Sequence, residues 1–429
     1  MSETTVITDA RIIDGTGADP IENGAVLVED EKIAAVGPAA EVDAPTGARE
    51  ISAGGKTVMP GIVEGHAHVG GGHKHQQRLR VSLQRGITTI CSVSAQPAGM
   101  RLRDSIEAGR VRGCSRLVAG VMITPTNGHV RYRDADGPWE VRKAVREMVE
   151  EGADFIKTAA SGGFWGEDEH SFVRNYTQEE LDALTDEAHA WGKPVVAHCH
   201  TQPGVNNCVE AKVDQIHHGA YIDEEGLQGI LDNDLFFVPT LRVTSDRNVN
   251  AWPDRPWMAA ELKHAQETHR EGVRLANEMG VKMGLGVDYP GSGAVWPIGT
   301  STMYELQLLV DVGLTEMEAL LTSFQGTPEA YRMDDEIGTL EPGKKADVLV
   351  VDGDPLDDIT VLNDSDRINL VMKDGTVEAV TPEYQEYYTV KEAQPPDRPA
   401  EDPSVTAFNF EADFDFDFEE DVDFDADAV

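Results

Sequence analysis

Short apolar strands alternate with amphipathic helices through the middle of this chain, and no other feature restricts its fold so much. Eight strand candidates occur in order: GIVEGHAHV, ITTICSV, RLVAGVMI, DFIKTAA, PVVAHCH, VDQIHHG, LFFVPT and VKMGLGVD. Stretches such as PWEVRKAVREMVEEG and TQEELDALTDEAHAWG supply helices between them. Parallel strands need a crossover long enough to hold a helix, so this alternation reads as βαβ units. Eight such units predict an α/β fold closed into a TIM-like (β/α)8 barrel, whose functional side chains gather at the C-terminal ends of the strands. An open doubly wound sheet is the competing fold, but it calls for a GxGxxG turn after the first strand, and none follows here.

Toward both ends the texture changes. Residues 4–59 read as short strands broken by Gly and Pro, and KKADVLVVDGDP and INLVMKDGTVEAV repeat that texture late in the chain, with Asp-Gly turns between alternating apolar residues. We therefore expect residues 1–59 and 336–385 to pair into a small β-sandwich beside a barrel of residues 60–335. The remainder, 386–429, ends in FNFEADFDFDFEEDVDFDADAV, which has no Lys or Arg. Its charge opposes compaction and predicts a disordered acidic tail; the Asp and Phe alternation would also suit an edge strand or docking peptide.

The 36 Lys and Arg against 77 Asp and Glu leave a net charge of −41, which repels phosphate backbones and anionic membranes. Neither nucleic acid nor membrane is an expected partner. Such charge destabilises a compact chain unless salt screens it, over about 3 Å at molar ionic strength, so a halophilic, salt-filled cytoplasm is the expected setting. Four scattered cysteines without a CxxC pair fit a reducing compartment, and MSETTVITDARIID lacks the basic and apolar regions of a secretion signal.

Four of the strand candidates end in groups able to bind metals, and a fifth carries a lysine within it. His66 and His68 lie two apart on the first, so a period of two sends both imidazoles to one face, ahead of the flexible Gly70-Gly71-Gly72. A lone HxH is a weak signal, but here it ends an apolar strand, where a barrel places ligands. His198 ends the fifth strand. His217 and His218 close the sixth, and since neighbours on a strand face opposite ways, only one should point inward; spacing alone does not say which. Asp288 ends the eighth, where a carboxylate can hold metal and accept a proton, although a turn or helix-capping Asp is the plainer reading of that residue alone. Lys157 stands inside an apolar strand, where burial disfavours its charge. A neutral amine there can capture carbon dioxide as a carbamate able to bridge two cations; otherwise Lys157 would reach solvent or pair with Glu151 or Asp154. His200 shares a face with His198 closer to the mouth, which suggests substrate contact, while Cys199 between them should pack against helices.

Taken together these motifs resemble the amidohydrolase superfamily, within it the imidazolonepropionase-like and Xaa-Pro dipeptidase-like enzymes, over nearly the whole chain before the acidic tail. VMPGIVEGHAHV is similar to the family's first strand, ADFIKTAASGG to the strand with the carboxylated lysine, VVAHCHT to the fifth-strand motif, QIHHGAYID to the sixth, and GLGVD to the strand with the catalytic aspartate. GTPEAYRMDDEIGTLEPGKKADVLVVDGDPL resembles its C-terminal signature, while GVDYPGSG departs from the commoner pattern after the aspartate. The resemblance implies metal ligands His66, His68, Lys157, His198, His218 and Asp288, and selects His218 over His217. It implies two divalent ions, zinc expected, carbon dioxide held as a carbamate on Lys157, and hydrolysis of an amide or dipeptide with Asp288 as general acid and base. His129 in MITPTNGH resembles the subgroup's GH motif and would contact substrate, with His200; Arg131 and Arg174 are further candidates for a substrate carboxylate. A homo-oligomer is expected. The alternatives are cyclic-amide opening or deamination on the same scaffold, and a non-catalytic binding protein, which would be expected to have lost some of these ligands.

Overall fold

The computed structural model describes residues 4–164, 170–288 and 299–388. Its strands run β1 (Thr4–Ile12), β2 (Ile21–Glu29), β3 (Lys32–Pro38), β4 (Arg49–Ser52), β5 (Thr57–Pro60), β6 (Ile62–Ala67), β7 (Ile87–Ser92), β8 (Arg116–Thr124), β9 (Arg133–Asp134), β10 (Phe155–Ala159), β11 (Val195–Thr201), β12 (Gln215–Tyr221), β13 (Phe236–Val238), β14 (Val348–Val351), β15 (Ile368–Lys373) and β16 (Thr376–Val380). They form two eight-stranded sheets.

One sheet joins both chain ends in the order β16-β15-β14-β5-β1-β2-β3, with β4 beside β1. The returning strand β14 sits antiparallel between β5 and β15. Its VLVV sequence is buried throughout because the sheet is covered on both sides. Val348 and Val350 join the core of the end sheet, whereas Leu349 and Val351 pack into the large cluster shared with the barrel. Each such side chain contributes roughly 1.5–3 kcal/mol on burial. The turn between β15 and β16 is made by Asp374 and Gly375, at φ 47° and 70°, the left-handed pair that suits the twist of a tight hairpin. Arg116 of β8 ties the two sheets together by donating to Asp347 at 2.8 Å and to Asp374 at 2.5 Å.

In the second sheet β6-β7-β8-β10-β11-β12-β13 run parallel, with the short β9 beside β8. Helices cross between them, including Pro138–Glu150, Gln178–Ala190 and Gln202–Ala211. The helix Gln178–Ala190 begins where the sequence announces it: the Thr177 hydroxyl accepts the Glu180 N–H while the Glu180 carboxylate accepts the Thr177 N–H, so two orphan donors are satisfied at once.

The eighth strand expected from VKMGLGVD is not a regular strand. Its backbone still spans the gap between β13 and β6: Phe237 N–H donates to Lys282 and Gly284 N–H to Phe237 on one side, and Gly65 N–H donates to Leu285 and Asp288 N–H to His66 on the other. A regular ladder is replaced in part by side chains, since the Val287 N–H donates to the Glu64 carboxylate at 3.0 Å. Gly286 permits the approach, because a Cβ there would stand 2.5 Å from Val238 Cγ1 and 2.8 Å from His66 Cβ. The acidic tail beyond residue 388, and residues 289–298 after Asp288, lie outside the described residues.

Candidate metal centre

Strand alternation sorts the barrel side chains. On β10, Ile156 belongs to the outer cluster beneath the helices, whereas Phe155 belongs to a separate inner cluster with Cys91, Val196 and Phe236. Lys157 is two residues on from Phe155 and so shares its inward face. By the same rule His198 and His200 follow Val196 inward on β11, and Cys199 turns outward with Ala197 into the outer cluster.

On β12 alternation alone would turn His217 inward with Gln215 and send His218 outward with Ile216. His218 escapes it by adopting φ 77°, a left-handed backbone, and both histidines reach His66. The His66 Nδ1 lies 2.7 Å from His217 Nδ1, and the His66 and His218 ring centroids are 4.9 Å apart. The expectation that only one of the pair could point inward is corrected by this twist at the strand end.

Two groups of donors result. His66, His68 and Asp288 bring ligand atoms within 4.8 Å of one another, as do His198, His200 and His218. His68 Nε2 is 2.9 Å from Asp288 Oδ1, and His66 Nε2 is 3.5 Å from the same oxygen. The free nitrogens are oriented by neighbours: His68 Nδ1 meets the Ser94 hydroxyl at 2.8 Å, and His218 Nδ1 meets the Thr240 hydroxyl at 2.8 Å. Such partners fix which nitrogen faces a metal. His200, expected from its place on the strand to contact substrate, stands inside the second donor group.

Lys157 is 1% exposed, and its Nζ has no hydrogen-bond partner among the described residues. Asp154, one of the alternative partners, pairs instead with Arg103 at 2.7 Å. Burial pushes the Lys157 amine down to about 7, against the pull of Asp288 and Cys208. Burial also lowers His66, His198, His217 and His218 well below the ordinary imidazole range, and the charge of Lys157 acts on all four. Neutral imidazoles are the form that ligates metal. Although burial opposes it, Asp288 is held well below the usual carboxylate range by the His68 hydrogen bond and by the charges of His68, Arg242 and His129. Neutral nitrogens, one anionic oxygen and an orphaned buried amine therefore suit divalent cations.

His129 is 7% exposed and stacks on His198 at 3.9 Å between centroids, lining the same pocket as His200 and Asp288. The two arginine candidates are not brought to this cluster. Arg131 is exposed and hydrogen-bonded to Asp134, and Arg174 is exposed beside its backbone pairing with Ser161. Sequence reasoning passed over Glu64, which is fully buried and accepts the His66 N–H at 2.8 Å, the Val287 N–H, and the Thr302 hydroxyl at 2.8 Å. Its signal was a carboxylate inside an apolar strand, two residues before His66 and so on the same face. Arg242 and Glu305, also buried, carried no pattern that separates them from surface charges.

The sequence model of the amidohydrolase family matches residues 57–377, and that of the bacterial imidazolonepropionase-like composite domain matches residues 24–44. Ochratoxinase of Aspergillus niger is 26% identical over 428 residues, covering 87% of this chain and 86% of its own. A 5-methylthioadenosine/S-adenosylhomocysteine deaminase of Symbiobacterium thermophilum is 26% identical over 400 residues, covering 82% of this chain and 86% of its own. The crystal structure of a Xaa-Pro dipeptidase with methionine bound in its active site superposes with a TM-score of 0.79 and 26% identity, covering 87% of this chain and 99% of that one.

Proposed function

The chain belongs to the amidohydrolase family, and from that membership we propose that it hydrolyses a carbon-nitrogen bond, amide or peptide, in a small dipeptide-like substrate at a binuclear metal centre. The observation that carries this reading is the buried Lys157 amine, without a hydrogen-bond partner, acting electrostatically on histidines of both donor groups. The proposed ligands are His66, His68, Lys157, His198, His218 and Asp288. Divalent cations, zinc expected, would supply an activated water and polarise the substrate carbonyl.

The chain's own residues do the rest. The unprotonated form of the Lys157 amine, well populated near pH 7, attacks carbon dioxide, loses a proton, and becomes a carbamate with two donor oxygens. Asp288, kept ionised beside His68, takes a proton from the nucleophile and delivers it to the departing nitrogen. His129 and His200, lining the pocket, orient the substrate carbonyl. Arg131 and Arg174 have no part in this scheme, because they are exposed outside the donor cluster.

The proposed setting is a saline cytoplasm and a homo-oligomer, with the end sheet layered as a small β-sandwich beside the barrel. No helix among the described residues is long and apolar enough to cross a membrane. Dipeptides and N-acyl amino acids incubated with the zinc-loaded protein in molar KCl should yield two products joined through nitrogen in the substrate. The deaminase relative favours a second reading on the same scaffold, which would instead release ammonia from a heterocycle. Product analysis separates the two, and a metal-loaded protein that cleaves no carbon-nitrogen bond would defeat both.

A further inference from the structure

We infer that the substrate group seated beside the metal donors is apolar and uncharged. The inference rests on the hydrolase reading above and adds to it the class of side group accepted. The pocket lined by His129, His198 and His200 is also lined by Phe164, Val243, Met258 and Leu262. These four are 3%, 7%, 1% and 1% exposed and belong to one apolar cluster, with Trp252 and Trp257 packed against it.

Three separate segments build this wall. Phe164 follows β10 and brings its ring within 4.3 Å of the His200 ring, centroid to centroid. Val243 lies in the single turn Leu241–Thr244 after β13, and Met258 and Leu262 are one turn apart on the helix Pro256–Met279, so they share a face. The apolar surface thus reaches the donor cluster itself instead of stopping at a polar rim.

Among the described residues Arg242 is the cation lining this pocket, and the protein already engages it. It donates to the carbonyls of Val287 and Asp288, and its charge acts on the carboxyl groups of Asp288, Glu64 and Glu305. A substrate anion would compete for it with Asp288, which its charge helps to keep ionised. A substrate cation would leave water for a wall that has, among the described residues, no acid other than Asp288, which is committed to His68. An apolar group sheds its hydration against the wall at no such cost.

The test uses the full chain, loaded with zinc in molar KCl, and matched dipeptides Ala-Xaa and Xaa-Ala with Leu, Phe, Asp or Lys at Xaa. In one of the two series kcat/KM should favour Leu and Phe over Asp and Lys by about 10-fold or more. Leu262→Ala and Phe164→Ala should compress that ratio toward one. Equal or reversed ratios in both series would overturn the inference while leaving the hydrolase reading standing. Should no carbon-nitrogen bond be cleaved at all, the hydrolase reading falls, and calorimetric binding of free leucine against aspartate and lysine decides the inference: tighter leucine upholds it, and equal or weaker leucine ends it.

Discussion

Arg242 holds the backbone of Asp288 from the neighbouring turn Leu241–Thr244, donating its Nε–H to the Val287 carbonyl at 2.6 Å and an Nη2–H to the Asp288 carbonyl. Asp288 sits at φ 54°, a left-handed conformation that costs a non-glycine residue of order 1 kcal/mol or more and persists only where its surroundings impose it. The loop that supplies Arg242 is itself clamped, because the Glu305 carboxylate accepts the N–H groups of Leu241 and Arg242. Its first residue, Thr240, orients His218. One short segment after β13 therefore sets the attitude of donors in both groups.

Replacing Arg242 should separate stability from positioning. Arg242→Ala leaves the Val287 and Asp288 carbonyls without their donor and is expected to cost roughly 1–3 kcal/mol for each in denaturant unfolding. Arg242→Lys keeps the charge but loses the planar fork, so its stability should recover in part while kcat stays at least about 10-fold down with KM little changed. A lysine variant with wild-type kcat would show that Asp288 needs no such support.

Asp288→Asn removes the proton acceptor while leaving a nitrogen-rich donor set. Metal content by elemental analysis should stay close to wild type, and turnover should fall by several orders of magnitude, on the order of 10³-fold or more. Near-normal turnover would refute the role given to Asp288.

Lys157 yields a pH prediction. Its folded pKa, near 7, lies below the ordinary value of 10.5, so between those limits the unfolded chain binds a proton that the folded chain does not. Stability of chelator-treated protein should therefore rise with pH across about 7 to 10.5, by up to about 1.4 kcal/mol per unit. Lys157→Met should flatten that slope. Urea midpoints at several pH values read it directly, and parallel slopes for the two proteins would mean that the amine is not buried as described.

Chelation should abolish turnover and lower the melting temperature, since a metal at 100 times its dissociation constant stabilises the folded state by about 2.7 kcal/mol. Titrating zinc back should restore activity as the second equivalent binds, and the process should depend on bicarbonate if the carbamate on Lys157 forms. Full recovery at one equivalent would contradict a binuclear centre.

The net charge of −41 predicts a melting temperature that climbs from low to molar KCl, as screening relieves self-repulsion. A melting temperature that fell steadily over the same range would remove the case for a saline setting.

Much of the site was legible because strand geometry is periodic. HxH at residues 66 and 68, the position of Lys157 two residues beyond Phe155, and His198 two beyond Val196 each follow from a period of two. The same rule misled at residues 217 and 218, where a left-handed residue lets both side chains reach His66. It could not reveal Glu64 as the acceptor for His66 and Val287, because that role depends on two segments 223 positions apart.

By itself the sequence determined the order of the βα units, the inward faces of the strands and most of the candidate donors, since these depend on neighbours a few residues away. Only the tertiary structure decided that the last barrel segment closes through glycines and side-chain acceptors instead of a ladder, that His200 stands beside His198 and His218, and that Arg242 and Glu305 brace Asp288. Those outcomes depend on which buried polar groups find partners across the barrel, and burial without a partner is too costly for any local pattern to overrule.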